Sequence, residues 1–544
     1  MNVLIIGGVA AGTKVAAKLK RDNYNTEVTI LTKGKDISYA GCGLPYYVGN
    51  VIENQEELIV NTPESFSKLT GVEVFTEVEV IKVYPDKKEV EALDLKANTT
   101  NTYKYDKLVI ATGADPVKPP IDGIDLKGVY FMRTPEDAVS LRNSVEVGEI
   151  KRAVVVGGGF IGIEVAENLA SQGIRVSVID LAEQILPGFE PEIANYVENH
   201  LANHGIMAFT NTGLEAILGD EKVEKVKTSR RAMKADAVIL SIGIRPNTAF
   251  LADTGIELSE NKAIVVNEYL GTNIKDIYAV GDCAVVSNML TEKEAYSPMG
   301  SSANIEGRIL AQNLNGKRSG YKGVLGTAVA KLPELNVAKT GLTEDEAKAE
   351  GYDAVTVVTV VDDKAHYYPG ASSFFVKMIA DRSTKKLLGL QVAGKGAVDK
   401  MADIAVMAIS LNATLEDIKD LDLSYAPPFS TAIHPFSHTV NILLNKINGE
   451  INSITPREYM QGKAEGYKII DASISPSIAG VPHIDLSKVH GELPEFSKDE
   501  KLLLVCTKGK RAYMLQKRLI SFGYANTLVL EGALLSTNYH YKTI

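Results

Sequence analysis

Short apolar runs and glycine-rich loops alternate in a repeated order along the first half of the chain. The runs at 1–6 and 153–156 are each followed by a glycine-rich loop, a helical segment and a further apolar run. Apolar runs of this length bounded by glycine are typical of buried parallel strands. The order predicts two βαβ units, the second with its helix at 163–172 and its next strand at 175–180.

Three further patterns organise the rest of the chain. An apolar strand at 276–284 ends in Gly-Asp and precedes helical sequence to about 316, so we assign it to the first unit. Residues 326–440 alternate short strands and helices, with stiff turns at 367–370 and 425–428. A polar stretch near 455–456 then leads into a small α/β segment with a strand at 502–505. The pattern predicts several domains.

Size and charge agree with this division and exclude some classes of partner. The chain has 544 residues, a net charge of -10 and a pI near 5.5, which argues against nucleic acid as the main partner. No apolar run is long enough to span a bilayer, and the N-terminal run is read as a strand rather than a signal peptide. Three widely spaced cysteines offer neither a disulfide framework nor metal-ligand spacing. We expect a cytoplasmic protein without metal or membrane contacts.

The second glycine loop has the spacing of a dinucleotide site. Gly157, Gly159 and Gly162 fill G-x-G-x-x-G between strand and helix, and Asp180 ends the following strand. These glycines permit the turn, the approach of a pyrophosphate and close helix packing, while the acid binds ribose and repels a 2′-phosphate. The loop predicts NADH binding, with NADPH left open.

The first loop predicts FAD binding through several segments together. Val9 replaces its middle glycine, and the next strand ends in Thr32-Lys33 without an acid, so the adenosine ribose contact is not assigned to a carboxylate. The later Ala-Thr-Gly turn and the Gly-Asp pair support the flavin assignment. The predicted FAD residues are Gly7, Gly8, Ala10, Ala11, Gly12, Thr32, Lys33, Ala111, Thr112, Gly113, Gly281 and Asp282.

A lone thiol, Cys42, lies in a glycine-rich turn behind the first loop. A buried structural cysteine is the commoner role for such a residue. Beside a flavin and a helix N-terminus, however, its pKa would be lowered, and the thiolate would attack a sulfur–sulfur bond. Tyr47 stands five residues on, where a dithiol reductase carries its second cysteine, so the partner thiol would come from a substrate.

Two further groups carry candidate sulfur chemistry. Lys14, Lys18 and Arg21 are spaced along one helix face, as either a solvated surface or a grip for a phosphate-rich thiol such as coenzyme A. Cys506 closes a strand before a short loop whose backbone N–H groups would stabilise a persulfide, although a structural strand-end cysteine fits as well. Cys283 is assigned to packing.

Together these residues resemble the single-cysteine pyridine nucleotide-disulfide oxidoreductases, specifically coenzyme A-disulfide or coenzyme A-persulfide reductases with a C-terminal rhodanese domain. The resemblance rests on 38–47, 111–113, 281–282, 366–370, 425–428 and Cys506-x-x-Gly509-x-Arg511.

The resemblance implies an α/β fold with two Rossmann-like dinucleotide-binding domains, an α+β dimerisation domain and a rhodanese-like α/β domain. The corresponding ranges are 1–115 with 255–325 for FAD, 116–254 for NAD(H), 326–445 for dimerisation and 456–544 for the rhodanese-like domain.

The resemblance also implies a homodimer and a set of roles. Cys42 is the redox nucleophile, Tyr367 and Tyr425 reach the substrate sulfur of the partner's site, and Cys506 handles sulfane sulfur. The substrate-binding residues are Lys14, Lys18, Arg21, Ser38 and Arg511. Family members tend to carry an acid at Thr32, a Lys at Ile433 and an Arg at Ser473, so this chain departs from the pattern at those positions.

Two other readings remain. One is an NADH oxidase or peroxidase that cycles through a sulfenic acid, although such relatives place a histidine where Ala10 stands. The other is a non-catalytic flavoprotein redox sensor. The favoured function is NAD(P)H-dependent reduction of coenzyme A persulfide, polysulfide or coenzyme A disulfide.

Overall fold

The computed structural model describes residues 1–532, which form two compact units. The first unit comprises Met1–Glu183 and Phe209–Val324, and the second comprises Gln184–Ala208 and the chain from Leu325 onward. This division is coarser than the four predicted ranges, whose boundaries stay a prediction. The segment Gln184–Ala208, predicted within the NAD(H)-binding range, groups instead with the second unit.

A five-stranded parallel sheet forms the centre of the first glycine-loop module. Its strands, in spatial order, are Ile277–Ala279, Lys107–Ile110, Asn2–Ile6, Glu27–Thr32 and Glu73–Thr76. Its helices are Ala10–Asp22, Leu44–Val48, Pro63–Thr70 and Gly300–Leu314. Smaller strands are Val78–Tyr84, Glu89–Asp94, Thr99–Lys104, Ile264–Val265, Ala284–Ser287 and Glu294–Ala295.

The second module repeats this arrangement. Its strands, in spatial order, are Met207–Phe209, Arg175–Ile179, Arg152–Val156, Ala237–Leu240 and Val129–Tyr130, and the last four pair in parallel. Its helices are Pro135–Glu146 and Phe160–Ser171. The remaining strands of the unit are Leu214–Leu218, Lys225–Thr228, Ala232–Lys234, Ala114–Pro116 and Ile244–Pro246. The predicted pair of Rossmann-like sheets is confirmed.

Helix periodicity explains how the first sheet is covered. In the helix Ala10–Asp22, the buried residues Val15, Ala16 and Leu19 face the strands, while the lysines lie on the other side. The helix Gly300–Leu314 packs against it so closely that a Cβ added to Gly307 would lie 2.9 Å from the Ala11 carbonyl oxygen. The two helices therefore cover the same face of the sheet as a pair.

The second unit contains an antiparallel sheet and a parallel one. The antiparallel strands, in spatial order, are Ala328–Leu332, Leu335–Gly341, Leu387–Gly394, Ser373–Asp381 and Ala354–Asp362. The parallel strands are Ser453–Ile454, Thr527–Leu530, Leu502–Val505 and Lys468–Asp471. The helices are Pro191–Asn203, Glu344–Ala349, Val398–Ser410, Leu415–Ile418, Pro435–Ile447, Pro456–Met460 and Lys510–Ser521. No helix among residues 1–532 is both long and apolar enough to cross a membrane.

A buried ionic cluster holds the segment 184–208 to the antiparallel sheet. The Lys377 ammonium, fully buried in a central strand, lies 2.9 Å from a Glu190 oxygen, 3.1 Å from Glu192 and 3.1 Å from Glu344. Burial raises the pKa of Glu190, whereas Lys377 helps to lower that of Glu344 to about 2. Three carboxylates thus depend on one buried cation.

Replacing Lys377 with Met should destabilise the second unit strongly. Removing one partner of a buried ion pair costs about 3–5 kcal/mol, because the remaining charges are left without compensation. Without the Lys377 cation, burial raises the pKa values of the three carboxyl groups in the folded state. They become protonated as the pH falls, so the loss of unfolding free energy should become smaller at low pH. Urea unfolding followed across pH measures both effects. Lys395→Ala, which breaks an exposed pair with Glu334, should cost only about 0–1 kcal/mol, and an equal loss in the two variants would contradict the prediction.

Candidate active site

The two glycine loops occupy equivalent places in their sheets. Gly7 N–H donates to the Leu31 carbonyl and Gly157 N–H to the Ile179 carbonyl, each at 2.8 Å. A Cβ on Gly12 would lie 1.9 Å from the Gly7 oxygen, and one on Gly162 would lie 2.0 Å from the Gly157 oxygen. Only glycine allows the helix to leave the strand this closely.

Both loops leave the start of the following helix free of competing side chains. The helices Ala10–Asp22 and Phe160–Ser171 have no side-chain N-cap hydrogen bond and no acidic residue in the first turn. A Cβ on Gly159 would meet nothing within 4 Å. A helix N-terminus without a capping side chain suits a phosphate, so both loops fit a dinucleotide.

The strand register aligns Asp180 of the second module with Thr32 of the first. Val156 pairs with Ile179, and Ile6 pairs with Leu31, so each residue stands one position beyond the pair. Asp180 accepts hydrogen bonds from Gly158 N–H at 2.6 Å and from Ala182 N–H at 2.8 Å, which holds its carboxylate at the loop. Thr32 is buried and brings no charge there.

Cys42 lies in a short 3-10 turn, Gly41–Gly43, beside the start of a long helix. A Cβ on Gly300, the first residue of the helix Gly300–Leu314, would lie 4.0 Å from the Cys42 sulfur. Gly281 adjoins the same region, because a Cβ there would lie 3.0 Å from the Ala11 methyl. The predicted thiol, first loop and Gly-Asp pair therefore converge, together with a helix start that the sequence interpretation did not assign to the site.

The protein groups around Cys42 raise the pKa of its thiol. The residue is exposed to solvent, but neighbouring protein atoms desolvate its sulfur and raise its pKa, and the carboxylates of Glu164 and Asp282 raise it further. Only Arg133 opposes them. The protein groups alone thus raise the thiol pKa, with desolvation as the largest cause, and the lowering expected beside a flavin stays a prediction.

Glu164 and Tyr46 form a pair that the sequence interpretation missed. The Tyr46 hydroxyl donates to a Glu164 carboxylate oxygen at 3.1 Å. Burial raises the pKa of Glu164 to about 7 and also raises that of Tyr46. No motif indicated the pair, because the two residues are 118 positions apart in the chain. Glu164 brings a carboxyl of the second module near Cys42.

Asp282 is committed to an ion pair. Its carboxylate lies 3.0 Å from an Arg133 nitrogen, and the Tyr296 hydroxyl donates to its carbonyl at 2.8 Å. Beside it, the Gly281 N–H donates to the buried Glu306 carboxylate at 2.6 Å, and burial raises the pKa of Glu306 to about 7. Arg133 and Glu306 are further site residues that no motif indicated.

The other predicted residues of this unit lie at different distances from the first loop, with Lys18 and Arg21 toward the far end of the helix Ala10–Asp22. Lys14 is half-buried, Lys18 forms an ion pair with Asp22, and Arg21 is exposed. Lys33 forms an ion pair with Glu79 at 2.9 Å. Two hydrogen bonds hold the turn 111–113 in place. Ala111 N–H donates to the Ile6 carbonyl at 2.8 Å, and the Thr112 hydroxyl donates to the Asn247 carbonyl at 2.7 Å.

Ser38 has a strained backbone beside that loop. Its φ of 49° lies in the left-handed region, and its N–H donates to the Gly8 carbonyl at 2.9 Å. The hydrogen bond fixes the entry to the Cys42 turn. A strained residue next to a candidate nucleophile is typical of functional sites.

In the second unit, Tyr367 and Tyr425 lie together. Both are exposed, and a hydrogen bond with Tyr425 raises the pKa of Tyr367. The His366 ring packs against Tyr367 edge to face, with centroids 5.5 Å apart. The two predicted tyrosines, 58 positions apart in the numbering of the chain, form one hydroxyl pair.

Cys506 is buried at the end of its strand. Its sulfur accepts a hydrogen bond from Ala512 N–H at 3.4 Å, and Gly509 takes a φ of 82° before the helix Lys510–Ser521. Arg511 donates to the Ala472 carbonyl at 2.9 Å rather than pointing at the thiol. At the position where the family tends to have Arg, Ser473 donates its N–H to Asp471 at 2.9 Å. One backbone N–H, not several, reaches this sulfur among the described contacts.

The remaining cysteine behaves as predicted. Cys283 is fully buried, its thiol donates to two backbone carbonyls at 3.4 Å, and burial raises its pKa to about 11. Within residues 1–532, no group of three His, Cys, Asp or Glu side chains is arranged to hold a metal ion.

Comparisons with known proteins cover most of the chain. The profile of the family described as pyridine nucleotide-disulphide oxidoreductase matches residues 1–303, and that of its dimerisation domain matches residues 327–435. The NAD(P)H sulfur oxidoreductase (CoA-dependent) of Pyrococcus abyssi is 36% identical over 443 residues, which are 81% of this chain and 98% of that protein. The NADH oxidase of Methanocaldococcus jannaschii is 34% identical over 451 residues, which are 83% and 100%.

Solved structures match nearly the whole length of the chain. The NAD-dependent persulfide reductase from A. fulgidus superposes with a TM-score of 0.93 at 34% identity and covers 98% of this chain and 100% of that one. The predicted dimerisation domain is thereby confirmed as a family element, whereas the rhodanese-like assignment of the C-terminal segment stays a prediction. The chain belongs to the pyridine nucleotide-disulphide oxidoreductase family.

Proposed function

We propose that this protein is an FAD-dependent NAD(P)H oxidoreductase that reduces coenzyme A persulfide, polysulfide or coenzyme A disulfide through Cys42. The observation that carries the proposal is the convergence of a single thiol with the first glycine loop, the Gly281-Asp282 turn and the start of the helix Gly300–Leu314. The names of the Pyrococcus and A. fulgidus relatives support the substrate class.

The residues for the two cofactors follow from the loop geometry. FAD would lie on the loop from Gly7 to Gly12 with the 111–113 turn and Asp282, and NADH on the loop from Gly157 to Gly162 with Asp180 at its ribose. When bound, the flavin would supply the route by which a hydride's electron pair reaches sulfur. The two helix starts would each face a cofactor phosphate.

Cys42 performs the sulfur chemistry in this proposal. Its thiolate attacks the sulfur–sulfur bond of the substrate, forms a mixed disulfide and releases one thiol or sulfide. Overall, one NADH and one proton convert a disulfide into two thiols, or a persulfide into a thiol and hydrogen sulfide. Without a second cysteine at position 47, the mixed disulfide waits for electrons rather than for a neighbouring thiol.

Proton and substrate handling are assigned to polar groups around the thiol. The Glu164–Tyr46 pair stores a proton next to Cys42, and the Tyr367–Tyr425 pair of a partner subunit donates to the leaving sulfur. Lys14, Lys18 and Arg21, with Ser38, would contact the phosphates of coenzyme A. The proposal therefore includes a homodimer that works in a reducing compartment, the cytoplasm.

The C-terminal segment is proposed as a rhodanese-like sulfur carrier. Cys506 would bind sulfane sulfur, and Arg511 would hold the loop through the Ala472 carbonyl. The arrangement favours persulfide or polysulfide as the acceptor, because a plain disulfide reductase has no use for a second sulfur site.

A second candidate is an NADH oxidase that reduces oxygen through a Cys42 sulfenic acid. The name of the Methanocaldococcus relative favours it. The oxidase reading leaves the C-terminal segment without a role. Purified protein given NADH and then coenzyme A persulfide, coenzyme A disulfide, peroxide and oxygen in turn ranks the two.

Cys42→Ser should abolish NADH oxidation with coenzyme A disulfide and with coenzyme A persulfide, because the hydroxyl cannot form the mixed disulfide. Stopped-flow absorbance at 340 nm measures the rate, and flavin absorbance checks that the fold is retained. Cys506→Ser should leave disulfide reduction unchanged as the control. Disulfide turnover that persists in Cys42→Ser would end the proposal.

Asp180→Ala should shift the preference from NADH toward NADPH. Loss of a hydrogen bond to a charged group costs about 1.5–3 kcal/mol, so kcat/KM for NADH should fall about 10- to 100-fold. The repulsion of the 2′-phosphate disappears as well, so kcat/KM for NADPH should fall less or rise. Asp220→Ala, an exposed acid of the same module, serves as the control. An unchanged ratio of the two coenzymes would refute the role of Asp180.

Glu164→Gln should lower the pKa of the Cys42 thiol. The neighbouring carboxylate raises that pKa, so its neutral analogue should let the thiolate form at lower pH. Iodoacetamide alkylation of Cys42, followed by mass spectrometry across pH, measures the midpoint. Glu183→Gln, at an exposed position, should not move it, and a midpoint that stays or rises in Glu164→Gln would show that the carboxylate does not act on the thiol.

A further inference from the structure

Two hydrogen bonds of the Val358 backbone, one with a side chain and one with a backbone group, join the C-terminal segment to the edge of the antiparallel sheet. Ala354–Asp362 is the last strand of that sheet. Val358 N–H donates to a Glu531 carboxylate oxygen at 2.8 Å, and the Val358 carbonyl accepts from Gly532 N–H at 3.0 Å. The open side of an edge strand is thus partly covered.

Glu531 fixes this junction from within. Its side chain is buried, and its other carboxylate oxygen accepts from the Lys446 ammonium and the Ser453 hydroxyl, each at 2.6 Å. A buried carboxylate whose oxygens are all committed cannot be withdrawn without leaving unpaired charge. The C-terminal segment is therefore a docked element and not one on a free tether.

Two ion pairs lie on the same junction, at different distances from Cys506. Arg457 makes a bidentate contact with Asp345 at 3.0 and 2.8 Å. The Lys508 ammonium lies 2.5 Å from an Asp362 oxygen, with both side chains partly exposed. Lys508 is two residues from Cys506, whereas Arg457 lies in the helix Pro456–Met460, outside that loop.

Asp362 connects the pair to the tyrosines. It ends its strand and leads into the segment 363–372, which carries Tyr367. The Ser373 hydroxyl, at the start of the next strand, donates to the same Asp362 oxygen at 3.4 Å. One ion pair thus links the Cys506 loop to the base of the Tyr367 segment.

We propose that Lys508 and Asp362 are positioning residues that hold the Cys506 loop at the base of the Tyr367 segment, so that sulfur bound at Cys506 is passed to an acceptor thiol there. This inference rests on the proposed function of Cys506 as a sulfur carrier. A partly exposed ion pair contributes little to stability, so its effect should be on placement.

The transfer step conserves atoms and electrons. The acceptor thiolate attacks the outer sulfur of a Cys506 persulfide, a new sulfur–sulfur bond forms, and the bond to the Cys506 sulfur breaks to release its thiolate. No net oxidation or reduction takes place, and the proton count is unchanged. The persulfide formed on the acceptor is then the substrate that the reductase site reduces with NADH.

The test compares two routes of NADH oxidation in the full-length holoenzyme. Polysulfide with a catalytic amount of coenzyme A requires transfer through Cys506, whereas coenzyme A disulfide does not. Lys508→Met should lower kcat/KM on the polysulfide route about tenfold, because a displaced reacting group loses most of its orientation. The disulfide route and the thermal unfolding midpoint should not change.

Matched variants separate placement from other causes. Lys508→Arg should retain the polysulfide rate, and the charge swap Lys508→Asp with Asp362→Lys should restore most of it. Arg457→Met, which breaks the other pair of the junction, should have no effect. Added salt should lower the wild-type polysulfide rate toward that of Lys508→Met, because screening weakens an exposed pair.

Several results would overturn the inference. They are a wild-type polysulfide rate in Lys508→Met, an equal loss in Arg457→Met, or no recovery in both the arginine variant and the charge swap. Cys506→Ser distinguishes this failure from that of the proposed function. If Cys506→Ser keeps the polysulfide rate, the sulfur-carrier role itself is wrong; if it loses the rate while Lys508→Met keeps it, only the positioning role is wrong.

Discussion

The fold depends on a strand-to-helix turn that has no room for a side chain, and the chain builds it twice. At Gly12 and Gly162 the helix crosses the preceding loop carbonyl at a distance where a Cβ would overlap it. This close contact places the N-terminus of each helix at the carboxyl end of its sheet. Because such ends gather loops from neighbouring strands, the turn also decides where Asp180 and Asp282 can stand. The chemistry of the site is thus a consequence of backbone packing.

The site brings a nucleophile and two acids together, which is unfavourable for the thiolate. Glu164 and Asp282 both raise the pKa of Cys42, and Arg133 is the one cation among the groups that shift it. The thiol form is therefore the resting state that the protein groups favour. A carboxyl with a pKa of about 7 beside it can hold the proton that sulfur chemistry must take up or release near neutral pH. The acids around Cys42 therefore make the thiolate harder to form, but they keep a proton donor beside the sulfur.

Periodicity and glycine spacing predicted the two parallel sheets, the strand at 153–156 and the fully buried Cys283, because these features are local or nearly so. The helix predicted at 163–172 begins instead at Phe160, since the first turn follows the loop glycine without a capping residue to mark it. The pairings of Tyr46 with Glu164 and of Asp282 with Arg133 were not predictable from spacing, because each joins segments that meet only after folding. The burial of the Cys42 sulfur and the carboxylates around it were not predictable from spacing for the same reason.

In the second unit, buried charges join segments that are far apart in the sequence. Lys377 gathers three acids from a returning segment and a helix, and Glu531 gathers a lysine, a hydroxyl and a backbone N–H at the sheet edge. Buried charges of this kind add little net stability compared with apolar residues, but they accept only one arrangement of partners. In the proposed function, the sulfur carrier must face one acceptor, so a single fixed arrangement matters more for it than additional stability. In the same way, buried Glu531 fixes the C-terminal segment to the sheet edge, and the partly exposed Lys508–Asp362 pair is left to position the Cys506 loop.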